Sequence, residues 1–121
     1  MTRPLVAIAL ALSACGTHTA ERNELADAQT QVRRFFDAIA SGDCPTLGSL
    51  VPAINEREAC AKLLHEWRDD LRIKLIDLPD ARRDGRDRGA IIVRATVLRR
   101  EQQQTMLVRV THEKGVWQLV L

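Results

Sequence analysis

The sequence has few aromatic residues, no long apolar run and little net charge. Its 121 residues include two phenylalanines, two tryptophans and no tyrosine, so aliphatic side chains must form most of any core. The apolar run over 4–12 spans nine residues, whereas a membrane-spanning helix needs about 20. The formal charge is +2, which argues against a nucleic-acid partner. With 45% hydrophobic and 28% charged residues, the composition is typical of one globular domain.

The beginning of the chain is typical of an export signal. Arg3 precedes the short apolar run, and residues 12–16 read LSACG. This segment resembles the bacterial lipobox, in which small residues admit the peptidase and the cysteine thiol carries a diacylglycerol. It predicts that residues 1–14 are a lipoprotein signal peptide, that Cys15 is lipidated, and that residues 15–20 form a tether. The alternative is an ordinary signal peptide that happens to contain a cysteine.

The residue after the lipobox cysteine bears on the final location. Position 16 is glycine and not aspartate. By resemblance to the enterobacterial sorting rule, this favours the outer membrane, with the domain facing the periplasm. The predicted membrane attachment is therefore through lipid on Cys15 and through no other segment.

Apolar side chains recur at helical spacing over the first half of the mature chain. The spacing predicts a helix over 21–41, which Gly42 ends, and a single helical turn over 46–50. It also predicts a helix over 55–70, with Asn55 and Glu58 as a capping box.

From Leu71 onward the apolar side chains alternate with polar ones. The alternation predicts a strand that starts at Leu71, followed by three more strands, over 90–99, around 106–110 and over 116–121. A charged stretch over 79–89 is typical of a solvated hairpin loop. Helices followed by antiparallel strands predict an α+β domain, with three N-terminal helices packed on one face of a curved four-stranded antiparallel sheet.

Two segments resemble the nuclear transport factor 2-like (SnoaL-like) superfamily, and especially its small bacterial lipoproteins. Residues 32–43, VRRFFDAIASGD, look like the family's opening helix and Gly-Asp turn, and residues 113–120, EKGVWQLV, look like its last hairpin. The resemblance implies a cone-shaped domain over 21–121 whose mouth can hold a ligand. Some members are dehydratases or isomerases, but members resembling ketosteroid isomerase use a tyrosine, which this chain lacks. A cystatin-like domain, with one long helix on a sheet, is the alternative fold.

Two further cysteines follow the predicted lipidation site. Export to an oxidising compartment predicts that Cys44 and Cys60 form a disulfide. Fifteen residues lie between them, and closing such a loop stabilises a fold by about 3 kcal/mol. Two buried free thiols are the alternative. A redox pair is the weakest interpretation, because the spacing is not C-x-x-C.

Candidate catalytic and metal-binding residues are sparse. His65 and Asp69 could act as a base and its orienting acid, but we expect a surface ion pair, because their spacing places both away from the apolar stripe. The three histidines are too scattered to predict a metal site. The predicted interior contains no acid or histidine, and consists of Leu25, Phe35, Phe36, Leu63, Trp67, Val93, Val108, Trp117 and Leu119.

One face of the predicted sheet is basic. Four cations lie opposite the apolar rows, beside threonines and a glutamine: Arg72, Lys74, Arg94 and Arg109. Such a face could meet an anionic partner, whether lipid headgroups, envelope polysaccharide or an acidic protein. An ordinary solvated sheet face is the alternative.

Together these patterns predict a membrane-anchored binding or interaction module without catalytic activity or a cofactor. Its partner contacts are expected outside the cone. A small dehydratase or isomerase is the alternative class, which would require a buried histidine or acid that opens into a roomy pocket, for example at Asp37 or His65. A structural or inhibitory envelope protein is a third class, which would use its surface around a filled interior.

Overall fold

A computed structural model describes the backbone of residues 3–121 and the side chains of residues 19–121. Three helices precede four strands in the chain. The helices are α1 (Arg3–Ser41), α2 (Cys44–Leu50) and α3 (Arg57–Leu64), and the strands are β1 (Lys74–Arg83), β2 (Ala90–Arg99), β3 (Gln102–Glu113) and β4 (Val116–Val120). A 3₁₀ turn (Pro52–Ile54) separates α2 from α3, and a π-helical segment (His65–Asp70) continues α3. The predicted α+β class, with three helices and a four-stranded antiparallel sheet, is confirmed.

Helix α1 begins far upstream of the predicted start at residue 21. Its helical backbone runs from Arg3, through the segments predicted as signal peptide and tether. The side chain of Cys15 lies outside the described residues, so its lipidation stays a prediction. The predicted end of the helix is confirmed. Gly42 has φ +73°, and the N–H of Asp43 donates to the carbonyl of Ala38 at 2.9 Å, as in a Schellman motif.

Helix α2 starts at Cys44 because the preceding aspartate caps it. Oδ1 of Asp43 accepts a hydrogen bond from the backbone N–H of Thr46 at 3.2 Å, and Oδ2 accepts one from the Thr46 hydroxyl at 2.7 Å. These bonds favour the ionised carboxylate and lower the pKa of Asp43. The helix therefore begins two residues before the segment predicted over 46–50.

The predicted capping box at the next helix is wrong. Helix α3 begins at Arg57, and its N-cap is Glu56. Asn55 instead closes the 3₁₀ turn, where its N–H donates to the carbonyl of Pro52 at 3.1 Å. The helix predicted over 55–70 is therefore a shorter α-helix whose last turn widens into π geometry from His65 onward.

The sheet is an antiparallel meander in which each strand pairs with the next one in the chain. Strand β2 has the predicted bounds, whereas β3 is longer than predicted and β4 ends at Val120. Lys114 (φ +52°) and Gly115 (φ +76°) make the tight turn between β3 and β4. Positive φ at both positions is the geometry of a two-residue type I′ hairpin.

Strand β1 differs most from its prediction. It continues through Pro79 to Arg83, so the predicted loop over 79–89 shrinks to 84–89. An edge strand tolerates proline because one side of its backbone has no ladder to maintain. The pairing with β2 is irregular between Leu75 and Asp80, which interrupts the alternation on which the prediction depended.

The core lies between α1 and the inner face of the sheet. Phe35 is fully buried, and its ring contacts Phe36 and Trp67 edge to face, with centroids 5.5 and 5.4 Å apart. All nine residues predicted to line the interior belong to the core cluster or pack against it. Leu121, the last residue of the strand predicted over 116–121, lies after the end of β4 and is 55% exposed.

Candidate functional site

The two edges of the sheet are protected to different degrees. Strand β1 carries Pro79, several charged side chains and two irregularities in its pairing. These are devices by which proteins prevent another strand from pairing with an edge. Strand β4 has the sequence VWQLV, without charge or proline, and pairs regularly with β3. In the described part of the chain, β4 is therefore the edge strand that lacks these devices, although Leu119 in its second half is only 3% exposed.

The hairpin fixes which backbone groups of β4 point outward. The two-residue turn makes Glu113 and Val116 a hydrogen-bonded pair, and every second pair after it repeats that pattern. Trp117 and Leu119 fall between these pairs, so their N–H and C=O groups point away from β3. Because β4 is last in the strand order, no strand of residues 3–121 receives them.

An apolar groove runs beside the second half of β4. It has a volume of about 430 Å³ and lies between that strand, the 3₁₀ turn and α3. All the residues that line it are uncharged: Val51, Pro52, Ala53, Ile54, Leu63, Gln118, Leu119, Val120 and Leu121. Val120 and Leu121 are 52% and 55% exposed. The volume is within the range of small-ligand sites, about 300–1,000 Å³.

Packing around the disulfide positions the wall of this groove. The sulfur atoms of Cys44 and Cys60 are 2.02 Å apart, which is a bonding distance, and the pair links the start of α2 to α3. The 3₁₀ turn that borders the groove is the connection between these two helices. Ile54, in that turn, is buried in the core. The link therefore restrains both ends of the segment that forms the groove wall.

The four cations predicted to form a basic face lie in two groups along the sheet. Arg72, with φ +50°, precedes β1, and Lys74 pairs with Leu98 at the far end of β2. Arg94 lies four residues along β2 from Leu98, about 13 Å away, opposite Asp80 on β1. Arg109, on the adjacent strand β3, is a diagonal neighbour of Arg94, so these two cations lie together and apart from Lys74.

The fourth cation, Arg109, is neutralised by its neighbours. Its guanidinium contacts the carboxylates of Asp84 and Asp87 at 3.1 and 2.8 Å. Apolar side chains share the same outer face, and Leu107 is 61% exposed. The outer face is thus mixed in charge and partly apolar. Recognition of an anionic partner there stays a prediction.

The other residues considered from sequence lie on the surface. His65 and Asp37 are both exposed. Asp69 does not pair with His65 among the described side chains, and instead contacts the Nε atom of Arg68 at 2.9 Å. The widened helical segment over 65–70 explains the difference, because it changes the angular spacing that the prediction assumed.

An ion cluster that the sequence did not predict attaches the middle of α1, at Glu21 and Glu24, to the sheet. Arg83, at the end of β1, contacts Glu21 at 3.0 Å and Glu24 at 2.8 Å. Nδ1 of His112 lies 3.7 Å from the Glu24 carboxylate, and its ring stacks on Trp117 at 3.9 Å. Hydrogen bonding to Arg83 is the main reason why the pKa of Glu24 is lowered.

The groove residues were not identified from sequence because they are distant in the chain. Val51 is the first and Leu121 the last of them in the sequence, and α3 and all four strands lie between these two residues. The available signal was the uncharged final segment, residues 116–121, in a chain that is 28% charged. The composition of this segment predicts a strand, but it does not predict that the strand lies at an edge of the sheet.

Within the described residues, no cluster of three or more His, Cys, Asp or Glu side chains is arranged to hold a metal ion. Likewise, none of the described helices combines the length and apolar character needed to traverse a bilayer. Comparison with protein-family models, with curated proteins and with solved structures finds no match to this chain.

Proposed function

We propose that the protein is a lipid-anchored envelope protein that acts as a binding module, and that its binding site is the groove beside β4. The observation that carries the proposal is the uncharged groove of about 430 Å³, at which the apolar side chains of Val120 and Leu121 are half exposed. Apolar surface of this kind on a small domain is typical of a site that another molecule covers. The chemistry of the lining favours an apolar segment of a partner protein.

The position of the groove is consistent with attachment through Cys15. Glu21 and Glu24 of α1 contact Arg83 and His112, close to the turn where β4 begins. The groove borders the opposite, later half of β4. Lipid on Cys15, only six residues before Glu21, would therefore hold the turn end near the membrane and leave the groove facing away from it. The glycine at position 16 supports the outer membrane as the location.

We assign the groove a binding role and not a catalytic one. General acid–base catalysis needs a titratable group within hydrogen-bond reach of the reacting atom. The side chains that line the groove are aliphatic, apart from Gln118. The nuclear transport factor 2-like assignment is part of the same proposal, and the order of three helices before a four-stranded meander supports it.

The membrane anchor is tested by substitution of the lipobox cysteine. We expect Cys15→Ala to release the protein from the detergent-rich phase or to block its processing, since no thiol remains at that position for the lipid. Ser13→Ala is the control, because it keeps a small residue in the lipobox. Equal partitioning of Cys15→Ala and the native chain would overturn the anchor.

The binding site is tested by photo-crosslinking in intact envelopes. A benzophenone side chain at Ala53, on the groove wall, is compared with one at Ala61, which is exposed on α3 outside the groove. We expect a defined protein adduct from position 53, none from position 61, and loss of the adduct when Leu63→Lys places a charge in the groove. The same adducts from both positions would refute a site at the groove.

A further inference from the structure

We propose that the end of the domain nearest the predicted anchor binds anionic phospholipid headgroups through four free cations. These anchor-end cations are Arg22, Arg86, Arg88 and Lys114. The inference rests on the proposed function and specifies how the anchored domain lies against the membrane. The group that the cations recognise is the phosphate of an acidic lipid in the membrane that holds Cys15.

The end of β1 brings the loop over 84–89 beside α1. Arg83, the last residue of β1, contacts both glutamates of the ion cluster on α1. Its Nη1 atom also donates a hydrogen bond to the carbonyl of Arg88 at 3.1 Å. Arg22 lies between the two glutamates in the sequence. The cations of the loop and the cation of α1 are therefore at the same end of the fold.

The turn between β3 and β4 lies against the same loop. The N–H of His112 donates to the carbonyl of Gly89 at 3.3 Å. Oε1 of Glu113 is 3.6 Å from the position that a Cβ atom would take on Gly89. Lys114 follows directly in the turn, so it joins the other three cations at this end.

The acids at this end are mostly paired, whereas the anchor-end cations are not. Arg83 contacts the two glutamates of α1, and Arg109 contacts the two aspartates of the loop. All four anchor-end cations are exposed, and none forms an ion pair with a described side chain. In the loop and the turn, Glu113 is the one carboxylate without such a pair among the described side chains. The free charges that this end presents to an approaching surface are therefore mainly positive.

The predicted lipid places the membrane within reach of these cations. Cys15 lies six residues before Glu21, a length that spans about 9 Å as a helix and at most about 21 Å when fully extended. A cation is attracted to an anionic membrane within about one Debye length, which is about 8–10 Å near physiological salt. Contact with lipid phosphates would keep this end on the membrane and the groove directed away from it.

The test measures how close each end of the domain lies to the headgroups. The full, lipidated chain is reconstituted in vesicles of phosphatidylcholine, or of phosphatidylcholine with an equal part of phosphatidylglycerol, both containing lipid with a nitroxide on the headgroup. The first fluorophore is attached at Gly85→Cys, because Gly85 is exposed and no non-adjacent residue lies within 4 Å of its Cβ position. The second is attached at Gln102→Cys, which is nine residues and about 30 Å along β3 from Thr111.

We expect stronger quenching of the first fluorophore in the anionic vesicles than in the neutral ones, and weak quenching of the second in both. About 0.5 M salt should remove the difference, because it shortens the Debye length to about 4 Å. Arg86→Gln/Arg88→Gln should lower the ratio of docked to undocked protein about 25-fold, since each cation near the surface contributes a factor of about five. Arg72→Gln/Lys74→Gln removes the same charge at the other end of the sheet and should leave the ratio unchanged.

Equal quenching of the first fluorophore in neutral and anionic vesicles would overturn the headgroup contact. Equal losses in the two double variants would also overturn it, because they would show that total charge and not this surface attracts the membrane. Flotation of the same vesicles separates these failures from that of the proposed function. Protein that floats with neutral vesicles without charge-dependent quenching refutes the headgroup contact alone, whereas native protein that does not float with neutral vesicles refutes the anchor.

Discussion

Loss of the Cys44–Cys60 disulfide should lower the free energy of unfolding by an amount that depends on the length of the loop that the bond closes. The bond joins residues separated by 16 positions. Restricting a loop of about 15 residues in the unfolded chain stabilises the folded state by about 3 kcal/mol. For a domain of roughly 100 residues, each kcal/mol shifts the thermal midpoint by about 4 °C or more, so we expect a decrease of about 12–15 °C.

Reduction and substitution measure this effect in different ways. Reduction of the native chain removes the cross-link but keeps both sulfur atoms, so it reports the loop restraint alone. The double variant Cys44→Ala/Cys60→Ala also removes a buried sulfur, since Cys60 is 1% exposed. The cavity should add about 1 kcal/mol to the destabilisation. Thermal unfolding, with and without a reductant, would therefore show a slightly lower midpoint for the double variant than for the reduced native chain.

The double variant is also the control for the reductant, because its midpoint should not change when the reductant is added. A native midpoint that is insensitive to reductant would refute the reasoning, provided thiol titration of the denatured, reduced chain detects both sulfhydryls. The unreduced, denatured chain should give no titratable thiol from these two positions.

Two further outcomes test the packing and the ion cluster. Phe35→Ala should destabilise the fold by about 3–5 kcal/mol, measured by urea unfolding, because Phe35 is fully buried against Phe36 and Trp67; a loss below 1 kcal/mol would contradict the assigned core. Arg83→Met should lower the free energy of unfolding by about 0.5–1 kcal/mol, since solvent screens its ion pairs with the partly exposed Glu21 and Glu24. Folding lowers the pKa of Glu24 from 4.5. The contribution of Glu24 to the free energy of unfolding is therefore present above pH 4.5, and it is lost as the pH falls through the pKa of Glu24 in the folded state. Urea unfolding between pH 3 and 6 should show this loss in the native chain but not in Glu24→Gln, and equal pH profiles would contradict the assignment.

Regular segments were predictable from sequence, and interrupted ones were not. The alternation over 90–99 is unbroken, and β2 has those bounds. The end of α1 was equally clear, because Gly42 is a typical helix stop and adopts the required positive φ. In both cases the local preference and the tertiary contacts favour the same structure.

Strand β1 and helix α3 show why the remaining elements were difficult to predict. Pro79 and its charged neighbours have the composition of a loop, yet the edge position allows them to remain in a strand. Asn55 and Glu58 have the spacing of a capping box, yet the N–H of Asn55 donates to Pro52, so Asn55 ends the 3₁₀ turn and does not begin α3. The groove combines residues from the middle and the end of the chain, so its position depends on the fold and not on a local pattern.

The unequal edges of the sheet limit the size of any assembly that forms through it. Growth of a continuous intermolecular sheet requires each added molecule to offer a second edge to the next one. Here β4 lacks charge and proline, but β1 carries Pro79, charges and irregular pairing. Because β1 resists pairing with a further strand, an assembly that involves β4 cannot continue through β1 into a fibre. Such an arrangement yields a complex of fixed stoichiometry, even where the protein is concentrated.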